Sequence, residues 1–422
     1  SKLFFFYNNK VDYHFRHILK GLLKHELTMI VIDQPPVEKS FVQNPYIFYR
    51  QILKRGGVCF WKNYNQKAFF KFDTINKIFK DKRFGRELPP GFEHPDNKKL
   101  GDFYRVERNS MLELEGKRHS RLRGLVLRAF TTKNIQKISK DIDTLCSDLL
   151  DQMNENATDL IEGYAKQVPV ITIARLLGIP EEMSDQLLKW SNTMVAVYQA
   201  DISEKTKSLA NRSSKEFFEY IEKYVTERRS KPADDLITHL INAEQDNEKL
   251  NFDELVSTCI LLLNAGHEAT VHTIGNGINA LLANKIDCRF LKEKDWHNIV
   301  EEILRYDPPL HIFTRFAYEN LTIDDIEISC GEKISLVIGA SGQDGRRWDN
   351  PSAFIPNRRP ITHNSFGAGA HFCLGAPLAR LEINLALKNL FNKKRHIEIR
   401  QKPEYANIYH FHGLKSLNVE MR

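Results

Sequence analysis

The chain has 422 residues, 42% hydrophobic and 27% charged, a balance typical of a folded protein rather than a disordered or fibrous one. Its net charge of +7 is spread among many acids, and no nucleic-acid-binding motif accompanies it. No run approaches the roughly 18 apolar residues that cross a bilayer, which predicts a cytoplasmic protein with no transmembrane anchor. The six cysteines are scattered, which argues against a disulfide scaffold and a zinc module.

Residues 1–32 are basic and aromatic, and they precede Asp33-Gln34-Pro35-Pro36, where two prolines interrupt regular structure. We interpret them as an N-terminal extension of unknown role. No linker, repeat or low-complexity segment divides the remainder of the chain. Residues 33–422 are therefore predicted to form a single domain.

Apolar periodicity predicts long helices at about 134–153, 205–229, 252–283 and 292–306. Short β-rich runs, Val58 to Trp61, Leu321 to Ile328 and Lys333 to Val337, lie between turn residues. The predicted fold class is mainly α with small β-sheets.

The predicted helix 252–283 begins well, because Asn251 can cap it and acids follow in the first turn. Its middle, Asn264 to Glu268, is small and polar between hydrophobic flanks. A glycine there costs about 1 kcal/mol relative to alanine, and a buried acid costs more unless it is partnered. Such a conflict typically marks a binding site.

The strongest pattern is the segment Phe366 to Gly375, FGAGAHFCLG, which precedes a predicted helix. Its glycines permit a tight turn, and Cys373 lies where the amide groups of a helix N-terminus stabilise a thiolate. A lone cysteine in such a turn is more often only structural. This segment, however, resembles the haem-ligand loop of cytochromes P450, FGxGxHxCxG, at every specified position.

The resemblance, which extends from about Asn44 to near the C-terminus, implies the cytochrome P450 fold of the bacterial type. It implies haem b (iron protoporphyrin IX), with Cys373 as the axial iron ligand and Phe366 and Gly375 as further cofactor-binding residues of the loop. The implied activity is a monooxygenase reaction that inserts one atom of O2 into an organic substrate.

The family also carries an ExxR pair, matched here by Glu302 and Arg305, and an arginine in a later segment, matched by Arg358. The i, i+3 spacing places Glu302 and Arg305 on one helical face. Alone, such a pair is usually a surface ion pair. The resemblance implies a buried, structural three-residue network that supports the ligand loop.

Four further residues match the cations that meet the haem propionates in the family. They are His119 and Arg123 in an HxxxR pair, Arg315, and His371 in the ligand loop. Charge-assisted hydrogen bonds to carboxylates suit these side chains. Taken singly, each is more often a solvated or structural charge.

The central helix departs from the family pattern, Ala-Gly-x-acid-Thr. Ala269 occupies the usual threonine position, while Glu268 retains the acid. Thr270 is a weak catalytic candidate, because one residue turns a side chain about 100° around a helix. We expect Glu268 to relay protons, helped by a group of an oxygen-bearing, possibly polyketide-like substrate. The alternative is a Glu268 that is merely solvated.

The substrate is expected to be a hydrophobic organic molecule. The sequence contains no recognisable flavin or ferredoxin module, so we expect a separate ferredoxin or flavodoxin, with its reductase, to supply electrons. An acidic partner could dock on the basic residues Arg121, Arg128, Arg346, Arg347 and Arg380. The predicted substrate pocket comprises Met111, Ala265, Ala269, Leu310, Ile312, Phe313 and Phe411.

Three alternatives stay open at this point. A haem-thiolate enzyme can use peroxide or rearrange an oxygenated substrate without an electron donor. A haem protein can bind or sense without catalysis. An α-rich protein with no haem would be colourless.

Overall fold

The computed structural model describes residues 29–92, 99–129, 132–154, 158–199, 202–243, 248–359, 361–394 and 396–422. Most of the predicted N-terminal extension, residues 1–28, lies outside them. Its last residues belong to a sheet, since Val31 and Ile32 pair with Phe60 and Trp61. The boundary predicted after residue 32 therefore falls too late by at least this strand.

Helices dominate the described residues. In chain order they are α1 (Lys39–Gln43), α2 (Tyr46–Lys54), α3 (Phe72–Lys80), α4 (Gly101–Glu107), α5 (Gly116–Ala129), α6 (Thr132–Asp151), α7 (Gln167–Leu177), α8 (Ser184–Val195), α9 (Glu204–Ser230), α10 (Leu236–Asn242), α11 (Phe252–Ala283), α12 (Glu293–Tyr306), α13 (Ile338–Ser341) and α14 (Ala376–Lys393).

The four predicted long helices correspond to α6, α9, α11 and α12, and the predicted bounds of α11 match the structure. The amide of Glu254 donates to Asn251 Oδ1 (2.9 Å), and the amide of Asn251 donates to Glu254 Oε2 (3.0 Å). This reciprocal capping box satisfies two amides that a helix start leaves free. The predicted cap at Asn251 is confirmed.

The strands are short and lie around the helical body. They are β1 (Val31–Ile32), β2 (Val58–Trp61), β3 (Gln66–Phe69), β4 (Phe84–Gly85), β5 (Thr158–Asp159), β6 (Phe313–Ala317), β7 (Leu321–Ile323), β8 (Ile326–Ile328), β9 (Lys333–Leu336), β10 (Ile397–Ile399) and β11 (Asn418–Met421).

One sheet has the order β1-β2-β3-β9-β6-β4, a second β10-β11-β5, and β7 pairs with β8. The run predicted as one segment, Leu321 to Ile328, is thus a hairpin. Asp324 and Asp325 turn it with φ of 51° and 64°, a pair of left-handed residues that suits the twist of a two-residue hairpin loop.

Helix α11 joins two apolar clusters. Leu263 and the residues before it pack with α9 and α10, while Ile274 and the residues after it pack with α12 and α14. Burying one such side chain stabilises the fold by about 1.5–3 kcal/mol. The polar middle of α11 lies between these clusters, held in place by apolar packing at both ends. Among the described helices, none combines the length and apolarity needed to cross a bilayer.

Candidate active site

A tight loop, residues 366–375, leads into α14. The amide of Cys373 donates to the carbonyl oxygen of Phe366 (2.9 Å) and closes the loop. Gly369 has a φ of 70°, and a Cβ on it would lie 2.4 Å from the Phe79 carbonyl oxygen. Only glycine meets both conditions without strain. The loop is thereby fixed against the end of α3.

The Cys373 sulfur lies at the N-terminal end of α14. Burial raises the pKa of its thiol, while amides of Gly375 and Ala376 and the cations Arg123 and Arg380 oppose that rise. The net pKa is raised, so burial outweighs the stabilisation that the helix terminus gives the thiolate. A bound metal cation would supply the missing stabilisation, because it deprotonates a coordinating thiol.

A buried ion network lies behind the loop. Glu302 accepts hydrogen bonds from Arg305 (2.8 Å to each carboxylate oxygen) and from Arg358 Nε (3.1 Å to each). Arg305 Nη1 also donates to the carbonyl oxygens of Gly342 and Pro351. The structure therefore brings together the three residues that the sequence predicted, and it ties α12 to the segment that precedes the ligand loop.

A second buried acid, Glu301, was missed by the sequence analysis. It accepts hydrogen bonds from Arg380 (2.5 and 2.9 Å) on α14 and contacts His363 (3.2 Å) ahead of the loop. Burial opposes its ionisation, but Arg380 and His363 hold its pKa down to about 2. Glu301 thus connects the segment before the ligand loop with the helix α14 that follows it. Its adjacency to Glu302 was the available signal. Adjacent residues lie only about 100° apart around a helix, so the neighbour of a buried acid can also face the interior.

The predicted cations gather beside the same loop. The rings of His119 and His371 lie 4.2 Å apart, and Arg123 donates to the Phe372 carbonyl oxygen (2.7 Å). His371 contacts Glu115 (2.8 Å), whose pKa is lowered because the hydrogen bond from His371 and the amide of Arg86 outweigh burial. These elements would bring several donors to one edge of a group bound at Cys373.

Arg315 offers the clearest test of whether these residues fit an anionic cofactor. Its side chain is 3% exposed, and within the described residues its guanidinium forms no ion pair with a carboxylate. Burial and nearby Arg86 lower its pKa to about 9. A buried unpaired charge is costly, so this position favours an anion that the protein chain does not itself supply. A soft sulfur ligand and a carboxylate-seeking arginine together fit haem.

The middle of α11 presents the predicted acid as an unpartnered group. Glu268 Oε2 is buried without a hydrogen-bond partner in the described residues, and burial raises the pKa of Glu268 to about 7. Ala265 is exposed and Ala269 is half-buried beside it. Thr270 is only 4% exposed and its hydroxyl donates to the Gly266 carbonyl oxygen (3.4 Å). Thr270 therefore packs within the helix, and its catalytic assignment is not supported by this geometry.

Comparison with known proteins decides the family. The sequence profile described as Cytochrome P450 matches residues 92–286 and 296–407. The chain belongs to the cytochrome P450 family. It is a haem-dependent monooxygenase of the bacterial type, and its fold is the P450 fold.

Two similar P450s have informative names. "Polyketide biosynthesis cytochrome P450 PksS" of Bacillus subtilis is 36% identical over 406 residues, covering 92% of this chain and 98% of that protein. The crystal structure of P450BioI in complex with hexadec-9Z-enoic acid ligated acyl carrier protein has a TM-score of 0.86 and 30% identity, over 91% of this chain and 99% of that one. A PksS structure has a TM-score of 0.82 and 34% identity, over 92% and 99%.

The structure brings together some, but not all, of the residues predicted to line the substrate pocket of this P450. Leu310 and Phe411 form a β-bridge, so the two segments expected to line the pocket lie side by side. Phe313 is half-buried in β6, and Met111 is buried in the apolar cluster around α4 and α5. Ile312 packs into the aromatic cluster near α2, whereas its neighbour Phe313 packs against a different cluster, because adjacent side chains of an extended segment point to opposite sides.

A polar group beside these segments was not predicted. Arg86 pairs with Glu113 and lies over the Phe313 ring (4.5 Å), and Tyr198 donates to Glu107 (2.5 Å). Burial raises the pKa of Glu107 to about 8. His410 stacks near Tyr198, with ring centroids 6.1 Å apart, and His272 lies 5.9 Å from the Phe411 ring. No local motif signals this cluster, since its members come from five distant segments.

The five arginines predicted to dock an electron-donor protein differ in the exposure and the ion pairs of their side chains. Arg121 pairs with Glu254 and with Glu248 (3.1 Å), and Arg380 is held by Glu301. Arg347 lies over the rings of Phe72 and Trp348. Arg346 is half-exposed although it pairs with Asp344 (2.8 Å), and Arg128 is exposed.

Proposed function

We propose that this P450 inserts one oxygen atom from O2 into a long, mainly apolar substrate that carries oxygen functions, as a polyketide-derived acyl chain does. The proposal is carried by two observations together. Within the described residues Glu268 Oε2 has no hydrogen-bond partner, and the next residue is Ala269, where a threonine would otherwise supply a hydroxyl. A hydroxyl or carbonyl of the substrate then completes the hydrogen-bonded path to Glu268.

The wider pocket supports an oxygen-bearing substrate. Leu310, Phe313 and Phe411 offer apolar contact, whereas Arg86 offers a donor and the Tyr198 hydroxyl oxygen an acceptor beside them. Mostly apolar sites with a few placed polar groups fix the orientation of a ligand. The similarity to PksS, named for polyketide biosynthesis, and to P450BioI, crystallised with an acylated carrier protein, points to the same class.

The cofactor we propose is haem b, held by Cys373 through the iron and by His119, Arg123, Arg315 and His371 at the propionates. When bound, the haem supplies the centre that activates O2, and a thiolate ligand favours O–O cleavage. The protein positions the substrate, limits water and delivers protons through Glu268. A pyridine haemochrome spectrum of the extracted pigment tests the haem type.

The substrate class is tested by titrating the ferric protein with three matched sets of compounds. These are long-chain fatty acids, the same chains bearing an internal hydroxyl or ketone, and the same acyl groups on a carrier protein. We expect the oxygen-bearing chains to shift the spin state at lower concentration than the plain chains. Equal or weaker binding of the oxygen-bearing set would contradict the proposal.

Proton delivery is tested with Ala269→Thr. With an oxygen-bearing substrate the wild type should direct most electrons into product, and with a matched plain chain it should leak them to peroxide. The variant should narrow that difference, because its own hydroxyl replaces the substrate group. If the difference between the two substrates is the same in both proteins, assistance by the substrate is excluded.

We propose a separate ferredoxin or flavodoxin as electron donor, docking near Arg128 and Arg346. Contacts between exposed charges chiefly accelerate association and weaken with salt. The rate of reduction should therefore fall as ionic strength rises, and more steeply in wild type than in Arg346→Gln. Turnover with peroxide alone at an equal rate would favour the donor-independent alternative instead.

A further inference from the structure

A second buried cluster of side chains that can bind a metal lies at the end of α12, in segments other than the Cys373 loop. Asp307, His311 and His412 are at most 4% exposed, and one donor atom from each lies within 4.8 Å of the others. His412 Nδ1 is 2.9 Å and His311 Nε2 is 3.9 Å from Asp307 Oδ1. Neither the haem site nor the proposed relay uses them.

The hydrogen bonds of His412 require a proton or a metal ion between its ring and the Asp307 carboxylate. Its Nε2 lies 3.1 Å from the Val42 carbonyl oxygen, which can only accept, so Nε2 carries the hydrogen. In a neutral ring Nδ1 is then a lone pair facing the Asp307 carboxylate at 2.9 Å. Two acceptors lie so close only if a proton or a metal ion lies between them.

The remaining ligands have the outer contacts that metal ligands have. His311 Nδ1 lies 2.6 Å from the Tyr49 hydroxyl, which itself contacts Tyr409 (2.8 Å). The second oxygen of Asp307, Oδ2, accepts from Tyr405 (2.6 Å), while the Tyr46 hydroxyl donates to Oδ1 (2.5 Å) and lies 3.3 Å from His311 Nε2. Histidine ligands typically donate their outer nitrogen to such a partner, and ligating carboxylates are themselves hydrogen-bonded.

A cavity of about 180 Å³ adjoins the cluster, lined by Tyr46, Asp307 and His412 and by the exposed Asn44 and Asn284. It offers an ion and its water a route from solvent.

The cavity also contains an unsatisfied acceptor. Asn276 is 1% exposed and lines the same space, and its Nδ2 donates to the carbonyl oxygens of His412 (2.9 Å) and Asp307 (3.3 Å). Its Oδ1 has no partner within the described residues. A metal-bound water would donate to it.

We propose that Asp307 Oδ1, His311 Nε2 and His412 Nδ1 bind a Zn²⁺ ion, with a cavity water as fourth ligand. Imidazole and carboxylate suit zinc at about 2.0–2.2 Å, which places ligand atoms roughly 3–3.5 Å from one another. The separations of 2.9 and 3.9 Å bracket that range, so a small side-chain shift completes the site.

The ion would be structural, and its position gives it a role in the pocket. His311 lies between Leu310 and Ile312, and His412 follows Phe411. Leu310 and Phe411 form the β-bridge between the two proposed substrate segments. Zinc would therefore clamp both segments to the end of α12.

The test uses the haem-loaded full chain without an affinity tag. After incubation with zinc and desalting, elemental analysis should find about one zinc ion per chain in wild type and background levels in His311→Gln and His412→Gln. A matched control, His239→Gln, alters a histidine–aspartate pair elsewhere (3.6 Å from Asp234) and should retain the zinc. The haem spectrum checks that each variant is folded.

Equal zinc contents in wild type and both cluster variants would overturn the proposal. A second measurement needs no variant: X-ray data collected on either side of the zinc absorption edge should show an anomalous peak among Asp307, His311 and His412. Absence of that peak in zinc-soaked wild-type crystals would leave a protonated His412, paired with Asp307, as the explanation.

Discussion

Arg358 places its Nε 3.1 Å from both carboxylate oxygens of Glu302, although 56 positions separate the two residues. Both side chains are nearly inaccessible to solvent. The Glu302 oxygens also accept from Arg305 and from the amide of Ile355 (2.7 Å). One buried carboxylate thereby fixes helix α12 against the chain that leads to the Cys373 loop.

Replacing Arg358 by alanine should destabilise the protein by about 3–5 kcal/mol, because it leaves a buried carboxylate short of a partner. The ligand loop should lose its support, and haem content should fall. Denaturant unfolding and the reduced carbon monoxide spectrum measure the two effects. Lys388→Ala breaks an exposed pair with Glu293 (2.6 Å) and should cost no more than about 1 kcal/mol. Equal losses in the two variants would contradict the role assigned to Arg358.

Arg315→Met separates haem binding from folding. Since Arg315 is buried without a carboxylate partner in the described part of the chain, the apoprotein should be as stable as wild type or more stable. Haem affinity should fall, because a propionate loses its cation. Haem titration of the apoprotein and thermal unfolding measure these separately. Arg289→Met, at an exposed pair with Asp287, should change neither.

Thr270→Val should leave electron coupling unchanged. The Thr270 hydroxyl is turned to the Gly266 carbonyl oxygen within α11, and the side chain is buried. Losing this hydrogen bond should cost roughly 1 kcal/mol in unfolding experiments. Product and peroxide yields per electron measure coupling, and a marked increase in peroxide would restore Thr270 as a relay residue.

Local sequence determines several features on the Cys373 side of the molecule, whereas the haem-site assignments themselves came from the family resemblance. The ligand loop needs glycine at Gly369, Asn251 caps its own helix, and the spacing from Glu302 to Arg305 fixes their shared face. The position of Arg358 followed from the family resemblance alone, since no local rule connects residues so far apart.

The substrate side depends on tertiary packing. Ile312 packs into the aromatic cluster near α2 while the ring of its neighbour Phe313 lies under Arg86, and periodicity in so short a strand does not reveal which face is inward. The pairing of Arg86 with Glu113, and the approach of His272 to Phe411, join segments that are distant in sequence. Taken singly, Arg86 and Glu113 look like ordinary surface charges.

The pH dependence of coupling should report Glu268. Burial raises the pKa of its carboxyl to about 7, so the protonated form predominates below that pH and is lost as the pH rises through it. With Ala269 beside it, no threonine hydroxyl compensates. With a substrate that lacks oxygen functions, the fraction of electrons recovered in product should therefore fall as pH increases across about 7.

Glu268→Gln removes the titrating group and keeps its size, so coupling should be low and should lack this transition. Glu216→Gln is a matched control, since that exposed helical acid on α9 contacts Trp190 (2.9 Å) and should leave the wild-type profile unchanged. Product and peroxide should be measured at each pH with the rate of electron input held constant, because docking of the donor also changes with pH. A transition near pH 7 that persists in Glu268→Gln would assign the proton supply to another group.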